Sequence, residues 1–207
     1  MNGEDTFTIL GFEIDNKLEK LDNNFSKVKE KIKALIRKWK PYHLSLRGRI
    51  TIAKTKLVSQ IIYISTVLTP NTAIMEEIQT LINNFVMGIE CTKKHWINRD
   101  LMYTHTSQGG FGMIRLESFF KAIKVSWIKR YSVDKIDDNW ADIIDTFLHL
   151  TPDTRHIIHN YGPERFNKII KADIHVISSL FNAYKIFKHN FPTDPITMDN
   201  SWLNQCA

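Results

Sequence analysis

Apolar side chains recur along the N-terminal part of the chain with the spacing of one helical face. The steps between them alternate between three and four residues, which is the pattern of an a/d seam over three heptads. The pattern predicts a helix that ends before Pro41, because the residue preceding a proline resists helical geometry. Such a seam either pairs two copies of the chain or packs inside its own domain, and the second use is favoured. Its members are Leu18, Leu21, Phe25, Val28, Ile32, Leu35 and Trp39.

The next segment has a second apolar face at helical spacing, and Ser45 is its predicted N-cap. The members of this face are Leu46, Ile50, Ala53, Leu57, Ile61, Ile64 and Leu68. Four cations flank it. At about 100° per residue, Arg47 and Lys54 share one edge of the helix, while Arg49 and Lys56 share the other. We therefore predict a buried ridge bordered by positive charges, whose alkyl stems let them reach the solvent.

The remaining pattern predicts a mainly α fold: a helical bundle, a short β element at the N-terminus and a second helical lobe. Residues 6–14 are β-branched and aromatic around Gly11, which predicts two short strands or one bent strand. Pro70 is expected in the first turn of a third helix, and Gly88 is expected to stop it. Residues 90–114 are expected to be rich in loops. Further helices are predicted over residues 70–88, 115–131, 137–150, 163–171 and 173–190.

Positive charge is concentrated in one part of the sequence. The 207 residues carry a formal charge of +6, but residues 17–56 hold thirteen lysines and arginines against three acids. This excess favours a polyanionic partner, and nucleic acid is the commonest one, although a solvated helix surface is the alternative explanation. The predicted nucleic-acid contacts are Lys27, Lys31, Lys33, Arg37, Lys38, Lys40, Arg47, Arg49, Lys54 and Lys56.

No group of residues in the sequence predicts catalysis or metal binding. Asp137 and Asp138 are interpreted as an acidic helix start, because the helix dipole favours acids there, rather than as a two-metal site. The cysteines and histidines include no CxxC pair, which structural zinc sites usually contain. The glycines at 109, 110 and 112 do not have phosphate-loop spacing and are expected in turns. We therefore assign no catalytic residue and no metal ligand.

The cysteine content and the N-terminal sequence favour an intracellular protein, cytoplasmic or nuclear. Two cysteines cannot form a disulfide framework, which is typical of a reducing compartment. The acidic start MNGEDTF lacks the basic and apolar regions of a signal peptide. The longest apolar stretch, LVSQIIYISTVL, is too short to span a bilayer. No membrane association is expected.

Several short segments follow one another in a specific order. They are ILGFEID, a basic helix ending in RKW, LSLRGRITIAKTKLVSQIIY, NNFVMG, KKHWINRDLMY, GGFGMIRLESF and SWIKRY. This succession resembles the reverse transcriptases of non-LTR (LINE-type) retrotransposons, in the part that follows the catalytic palm. LSLRGR with the following AKT is the most specific piece. The resemblance covers about residues 6–131, whereas residues 132–207 match the family only loosely.

The resemblance implies a role for each matched segment. Leu10, Gly11 and Phe12 resemble the primer grip, which holds the primer end. The helices that follow look like the thumb, which lies along the template-primer duplex. Lys93 and Lys94 begin a segment that resembles the post-thumb region, which takes part in handling template RNA, and they join the expected nucleic-acid contacts. The implied divisions are residues 1–16 for the β element, 17–90 for the thumb, 91–131 for the post-thumb segment and 132–207 for a C-terminal helical region.

On this resemblance the chain is expected to be the duplex-gripping part of an RNA-directed DNA polymerase. The family's catalytic aspartates, and the Mg²⁺ that they bind, belong to the palm, which this sequence lacks. The chain is therefore expected to bind but not to polymerise alone, and to need no cofactor of its own. Its expected partners are RNA, RNA/DNA hybrid duplex and the palm and finger region of the full polymerase. The missing palm implies a remnant, a truncated sequence or one part of a larger polyprotein.

Two other hypotheses remain open at this stage. The chain is either a non-enzymatic helical interaction module, in which residues 17–40 form a homodimer, or a decayed insertion without a selected role. A stable dimer that is indifferent to nucleic acid would support the first of these. A monomer that binds hybrid duplex would support the thumb, and the thumb is the favoured hypothesis.

Overall fold

Helices account for most of the residues that the computed structural model describes, which confirms the mainly α prediction. The described residues are 6–9, 11–15, 21–88, 98–133, 139–160, 163–170 and 175–190. The chain divides into two units, Met1–Glu117 and Ser118–Cys206. The first unit contains β1 Thr6–Ile9, β2 Phe12–Asp15, α1 Asp22–Trp39, α2 Leu46–Ile52, α3 Ser59–Val67, α4 Thr72–Met87 and α5 Arg99–Tyr103. The helix α6, Leu116–Val133, begins in the first unit and continues into the second.

The two strands form an antiparallel hairpin, as the β-branched N-terminal segment predicted. Thr6 lies opposite Asp15 and Ile9 lies opposite Phe12, so residues 10 and 11 make the turn. Gly11 has a φ of 84°, a left-handed conformation that glycine adopts without strain. The predicted primer-grip residue Leu10 lies outside the described residues.

The seam of α1 packs inside the first unit. Phe25, Val28 and Ile32 are buried, and α1 packs against α3, α4 and the segment between α2 and α3. The helix ends where the sequence predicted, since the N–H of Lys40 donates to the carbonyl of Ile36 just before the proline. The apolar stripe of α1 therefore serves the core of its own unit.

The second helix is continuous from α2 to α3 through a π-helical segment, Ala53–Val58. Ser45 caps it as predicted, because its Oγ accepts a hydrogen bond of 3.2 Å from the N–H of Gly48. The predicted ridge is buried at Ile50, Ala53, Leu57, Ile61, Ile64 and Leu68. The π-helical segment was not predicted, and its wider turn changes the angular phase of the positions that follow Ala53.

The third helix begins later than the sequence predicted. Asn71 is its N-cap, because its Oδ1 accepts a 2.8 Å hydrogen bond from the N–H of Ile74. Pro70 therefore precedes the cap instead of occupying the first turn, which corrects that prediction. The predicted stop is confirmed, since Gly88 ends α4 with a φ of 66°.

The segment between α5 and α6 folds back along α5. A short 3₁₀ turn, Thr106–Gln108, follows α5, and main-chain hydrogen bonds join Met113 to Met102 and Gly112 to Thr104. Gly110 allows this close approach: a Cβ added there would lie 2.0 Å from the carbonyl oxygen of Thr104. The loop expected over residues 90–114 thus contains regular structure after residue 98, while residues 89–97 lie outside the described residues.

In the second unit, α7 Asn139–Leu148, a 3₁₀ segment Pro152–Asn160, α8 Pro163–Ile170 and α9 His175–Asn190 join the larger part of α6. These helices agree with the predicted ones, and the 3₁₀ segment was not predicted. Among the fully buried side chains in the core of this unit are Tyr131 from α6, Phe181 from α9 and Ile158 from the 3₁₀ segment.

A buried ion pair fixes the 3₁₀ segment to α7. Arg155 is 2% exposed and donates to both carboxylate oxygens of Asp145, at 3.0 Å from Nε and 2.6 Å from an Nη atom. Tyr131 donates its hydroxyl to the same carboxylate at 2.5 Å. Burial alone would raise the pKa of Asp145, but the hydrogen bonds from Arg155 and Tyr131 lower it below its ordinary value.

Gly110→Ala is expected to lower the free energy of unfolding by about 1–3 kcal/mol, because the new Cβ forces the backbone near Thr104 to move. Gly48→Ala is the matched control. Its Cβ would meet neighbours at 3.5 Å or more, and alanine is the better helix former by about 0.5–1 kcal/mol. Denaturant titrations followed by circular dichroism measure both, and equal effects of the two substitutions would contradict the close approach at Gly110.

Arg155→Met is expected to destabilise the second unit by about 3 kcal/mol at pH 7, because it leaves the carboxylate of Asp145 buried without its cation. Since the folded pKa of Asp145 is depressed, the ion pair stabilises the fold at pH values above about 4 and is lost as the pH falls further. The difference between wild type and variant should therefore shrink at pH 3. Tryptophan fluorescence during urea unfolding measures the free energy of unfolding of both proteins. A difference between them that does not change with pH would contradict the prediction.

Candidate nucleic-acid interface

The outward face of the second helix combines two cations with a row of small hydroxyl side chains. Arg47, Thr51, Thr55 and Ser59 follow one another at intervals of four residues, and all are exposed, as is Lys56. The hydroxyls donate to main-chain oxygens of their own helix: Thr51 to Arg47 at 3.0 Å, Thr55 to Thr51 at 2.8 Å and Ser59 to Lys56 at 3.1 Å. Within the part of the chain that is described, no carboxylate pairs with Arg47 or Lys56.

The other two cations of this helix lie against glycines of later segments. The Nη1 atom of Arg49 lies 2.6 Å from the position that a Cβ on Gly88 would take, and Arg49 Nε is buried without a hydrogen-bond partner among the described residues. The Nζ of Lys54 lies 3.6 Å from the corresponding position on Gly112. Both side chains are half-buried. The sequence predicted that all four cations reach the solvent. Arg47 and Lys56 are exposed, but Arg49 and Lys54 are only partly so.

The positive charges of α1 divide into paired and unpaired residues. Three lysines have carboxylate partners, and the pairs are Lys27 with Glu13, Lys29 with Glu77 and Lys33 with Glu30. Arg37 is exposed, and its Nε donates to the carbonyl of Lys33 at 3.4 Å. Lys31 and Lys38 are also exposed, and no described carboxylate pairs with them. Lys40 is exposed at the end of the helix, whereas Lys93 and Lys94 lie outside the described residues.

The hairpin lies next to the C-terminal half of the second helix. Phe12 is buried and stacks on Tyr63 of α3, with ring centroids 5.0 Å apart and an angle of 24° between the planes. The side chain of Asn24 bonds both the N–H and the carbonyl of Glu13, each at 2.8 Å, which ties the hairpin to α1. Gly11 stays exposed at the turn. Two of the three predicted primer-grip residues are thus placed beside the helix that carries Arg47 and Lys56.

A polar network joins three of the segments that carry the family resemblance. Asn83 from NNFVMG bonds the hydroxyl of Tyr103 from KKHWINRDLMY at 2.8 Å. Gln79 donates to Asn83 at 3.0 Å and accepts from the N–H of Leu116, in GGFGMIRLESF, at 2.7 Å. Segments that are far apart in sequence therefore meet in the first unit. Their order along the chain was visible in the sequence, but the network that joins them was not predicted.

These segments also form the walls of a groove of about 680 Å³ in the first unit. One polar stripe of α4 makes the floor, and Asp100, Tyr103, Arg115 and Glu117 complete the walls. The guanidinium carbon of Arg115 lies over the ring of Tyr103, 4.9 Å from its centroid. The sequence contains no spacing signal for this groove, because its residues come from three separate elements.

The described residues show no group of three or more histidine, cysteine, aspartate or glutamate side chains that could hold a metal ion. The Asp137 and Asp138 pair lies outside the described residues. Of the helices that are described, none has the length and apolar character needed to cross a membrane. The surfaces described above offer cations, hydroxyls, amides and aromatic rings that can contact a ligand.

Comparison with known proteins relates the chain to a transposon protein. No family model matches the chain. The chain is similar to a protein from Xenopus laevis described as "Transposon TX1 uncharacterized 149 kDa protein", with 24% identity over 155 residues. The match covers 74% of this chain and 11% of that protein, so the chain spans about a ninth of the relative's length. The chain is thus similar to one part of a transposon protein.

Proposed function

We propose that this chain is derived from a LINE-type retrotransposon and is the thumb-like part of its reverse transcriptase, which grips the RNA/DNA template-primer duplex. The observation that carries the proposal is the outward face of the second helix, where Arg47 and Lys56 are exposed and unpaired among the described residues. The similarity to a transposon protein and the order of the quoted segments support the same origin. The palm, with its aspartates and Mg²⁺, would belong to another part of the polymerase.

The hydroxyl row suits a strand that contains RNA. Because Thr51, Thr55 and Ser59 use their protons on main-chain oxygens, their free lone pairs point away from those bonds and can accept a hydrogen bond. The 2′-hydroxyl of a ribose can donate one, whereas a phosphate cannot. Small side chains also let the nucleic-acid backbone approach the helix closely. Arg47, at the start of the row, and Lys56, which follows Thr55, would then contact phosphates.

The remaining predicted cations would contribute unequally. Lys31, Arg37 and Lys38 are exposed and add to the positive potential, and Lys40 and Lys54 extend it. Lys27 and Lys33 already have carboxylate partners, so a phosphate would have to compete with Glu13 and Glu30 for them. Arg49 is half-buried against Gly88, so a phosphate would have to approach that position to contact it. Lys93 and Lys94 complete the proposed set of contacts.

The double variant Arg47→Gln, Lys56→Gln is expected to weaken binding to an RNA/DNA hybrid and to reduce its salt dependence. Each lost phosphate contact removes about 0.9 from the slope of log affinity against log salt in B-DNA, so two contacts remove about 1.8. The matched control is Lys27→Gln, Lys33→Gln, which removes the same formal charge from two ion-paired residues. Fluorescence anisotropy of a labelled hybrid over a range of salt concentrations measures both slopes.

Equal slopes for the two double variants would contradict the proposed face, since only net charge would then matter. Sedimentation of the wild-type chain with and without hybrid completes the test. A monomer that shifts with the hybrid agrees with a duplex grip. A stable dimer that ignores the hybrid would replace the proposal with the helical interaction module.

A further inference from the structure

The groove beside α4 has walls that suit a flat, uncharged ligand with hydrogen-bonding edges. Its floor offers amides and hydroxyls, and Arg115 lies over the ring of Tyr103 at one wall. Arg115 is exposed, and among the described residues it has no carboxylate partner within salt-bridge distance. Tyr103 is held in place because its hydroxyl bonds Asn83. A guanidinium supported in this way presents a surface on which a further planar group can stack.

The charges that line the groove oppose a phosphate. Glu76, Asp100 and Glu117 provide three carboxylates against the one guanidinium of Arg115. A carboxylate only accepts hydrogen bonds, so it attracts N–H donors and repels phosphate oxygens. A nucleobase meets these requirements: its face is flat, its edges carry N–H groups, and its phosphate can remain outside the groove.

We propose that this groove binds an unpaired nucleobase of a single-stranded RNA, and that guanine is the base that fits best. Guanine presents two adjacent N–H donors on its Watson–Crick edge, which match the two oxygens of one carboxylate, Asp100 or Glu76. Adenine and cytosine present a ring acceptor beside their amino group, and uracil presents carbonyl oxygens on both sides of its N–H. The base would stack on Arg115. The inference rests on the proposed function, because it gives the same nucleic-acid-binding chain a separate site for unpaired strand.

A basic peptide is the other ligand that carboxylates attract. Arg115 argues against it, because an arginine or lysine side chain entering the groove would meet this guanidinium as well as the acids. The guanidinium over the ring of Tyr103 gives no comparable advantage to an extended peptide. The nucleobase is therefore the ligand that uses both a carboxylate of the groove and the guanidinium of Arg115.

The test uses labelled ten-nucleotide RNAs, either uridine alone or uridine with one central guanosine, adenosine or cytidine, and a blunt RNA/DNA hybrid. Wild type is expected to prefer the guanosine strand. Arg115→Lys keeps the positive charge but replaces the planar guanidinium with an ammonium group on which a base cannot stack. It should weaken the binding of every single strand by about fivefold or more. Either Asp100→Asn or Glu76→Gln, depending on which carboxylate pairs with the base, should remove most of the preference for guanosine. None of these variants should change hybrid affinity, because the bases of a duplex are paired.

Two exposed residues of the second unit provide matched controls: Lys168→Arg and Glu164→Gln should leave all affinities unchanged. Thermal unfolding checks that each variant folds. Single-strand affinity that survives in Arg115→Lys would overturn the proposal, since charge rather than stacking would then hold the strand. A base preference unaltered by both Asp100→Asn and Glu76→Gln, or Asp100-dependent binding of a labelled hexalysine peptide, would also overturn it.

The two proposals fail separately in this experiment. If wild type does not bind the hybrid but binds single strands in a way that depends on Arg115, the proposed duplex grip is contradicted and the proposed base site is kept. If wild type binds the hybrid but its single-strand binding does not depend on Arg115, Asp100 or Glu76, the base site is contradicted and the duplex grip is kept.

Discussion

Burial of the apolar ridge on the second helix is the interaction on which the first unit depends. Ala53, Leu57 and Ile61 are fully buried, and α1 and α4 both pack against the segment that carries them. Once this ridge faces inward, the positions beside it are divided by geometry. Arg49 and Lys54 are drawn against the glycines of later segments, whereas Arg47 and Lys56 are left facing the solvent. The buried ridge thereby determines which cations are available to a ligand.

Positive charge and an interface for polyanions are therefore different properties in this chain. The basic block is dense in sequence, yet Lys27, Lys29 and Lys33 already have carboxylate partners. Exposed ion pairs of this kind contribute little to stability, but they reduce the local potential that a phosphate would meet. The groove beside α4 has the opposite charge, because three carboxylates and one guanidinium line it. In the two functions proposed above, the helix face would bind paired nucleic acid and the groove would bind an unpaired base.

The sequence predicted those features that depend on local physics. The seam of α1, the Ser45 cap and the Gly88 stop were predictable because each is set by residues within one or two turns. The π-helical segment was not, since nothing in the apolar spacing of that helix requires an extra residue per turn. The contact of Arg49 with Gly88 and the bond between Asn83 and Tyr103 depend on how elements meet. Such contacts arise from tertiary packing. The spacing of apolar residues along a single sequence predicts helices, but it does not say which residues of different helices meet.

Acetylation of lysines, measured by mass spectrometry with and without bound RNA/DNA hybrid, tests the central claim most directly. Lys56 on the exposed helix face should become protected when the hybrid binds, and it should lose that protection in high salt. Lys168, exposed in the second unit, should react equally in both states. Reaction of Lys56 at the same rate with and without a saturating amount of hybrid would contradict the account.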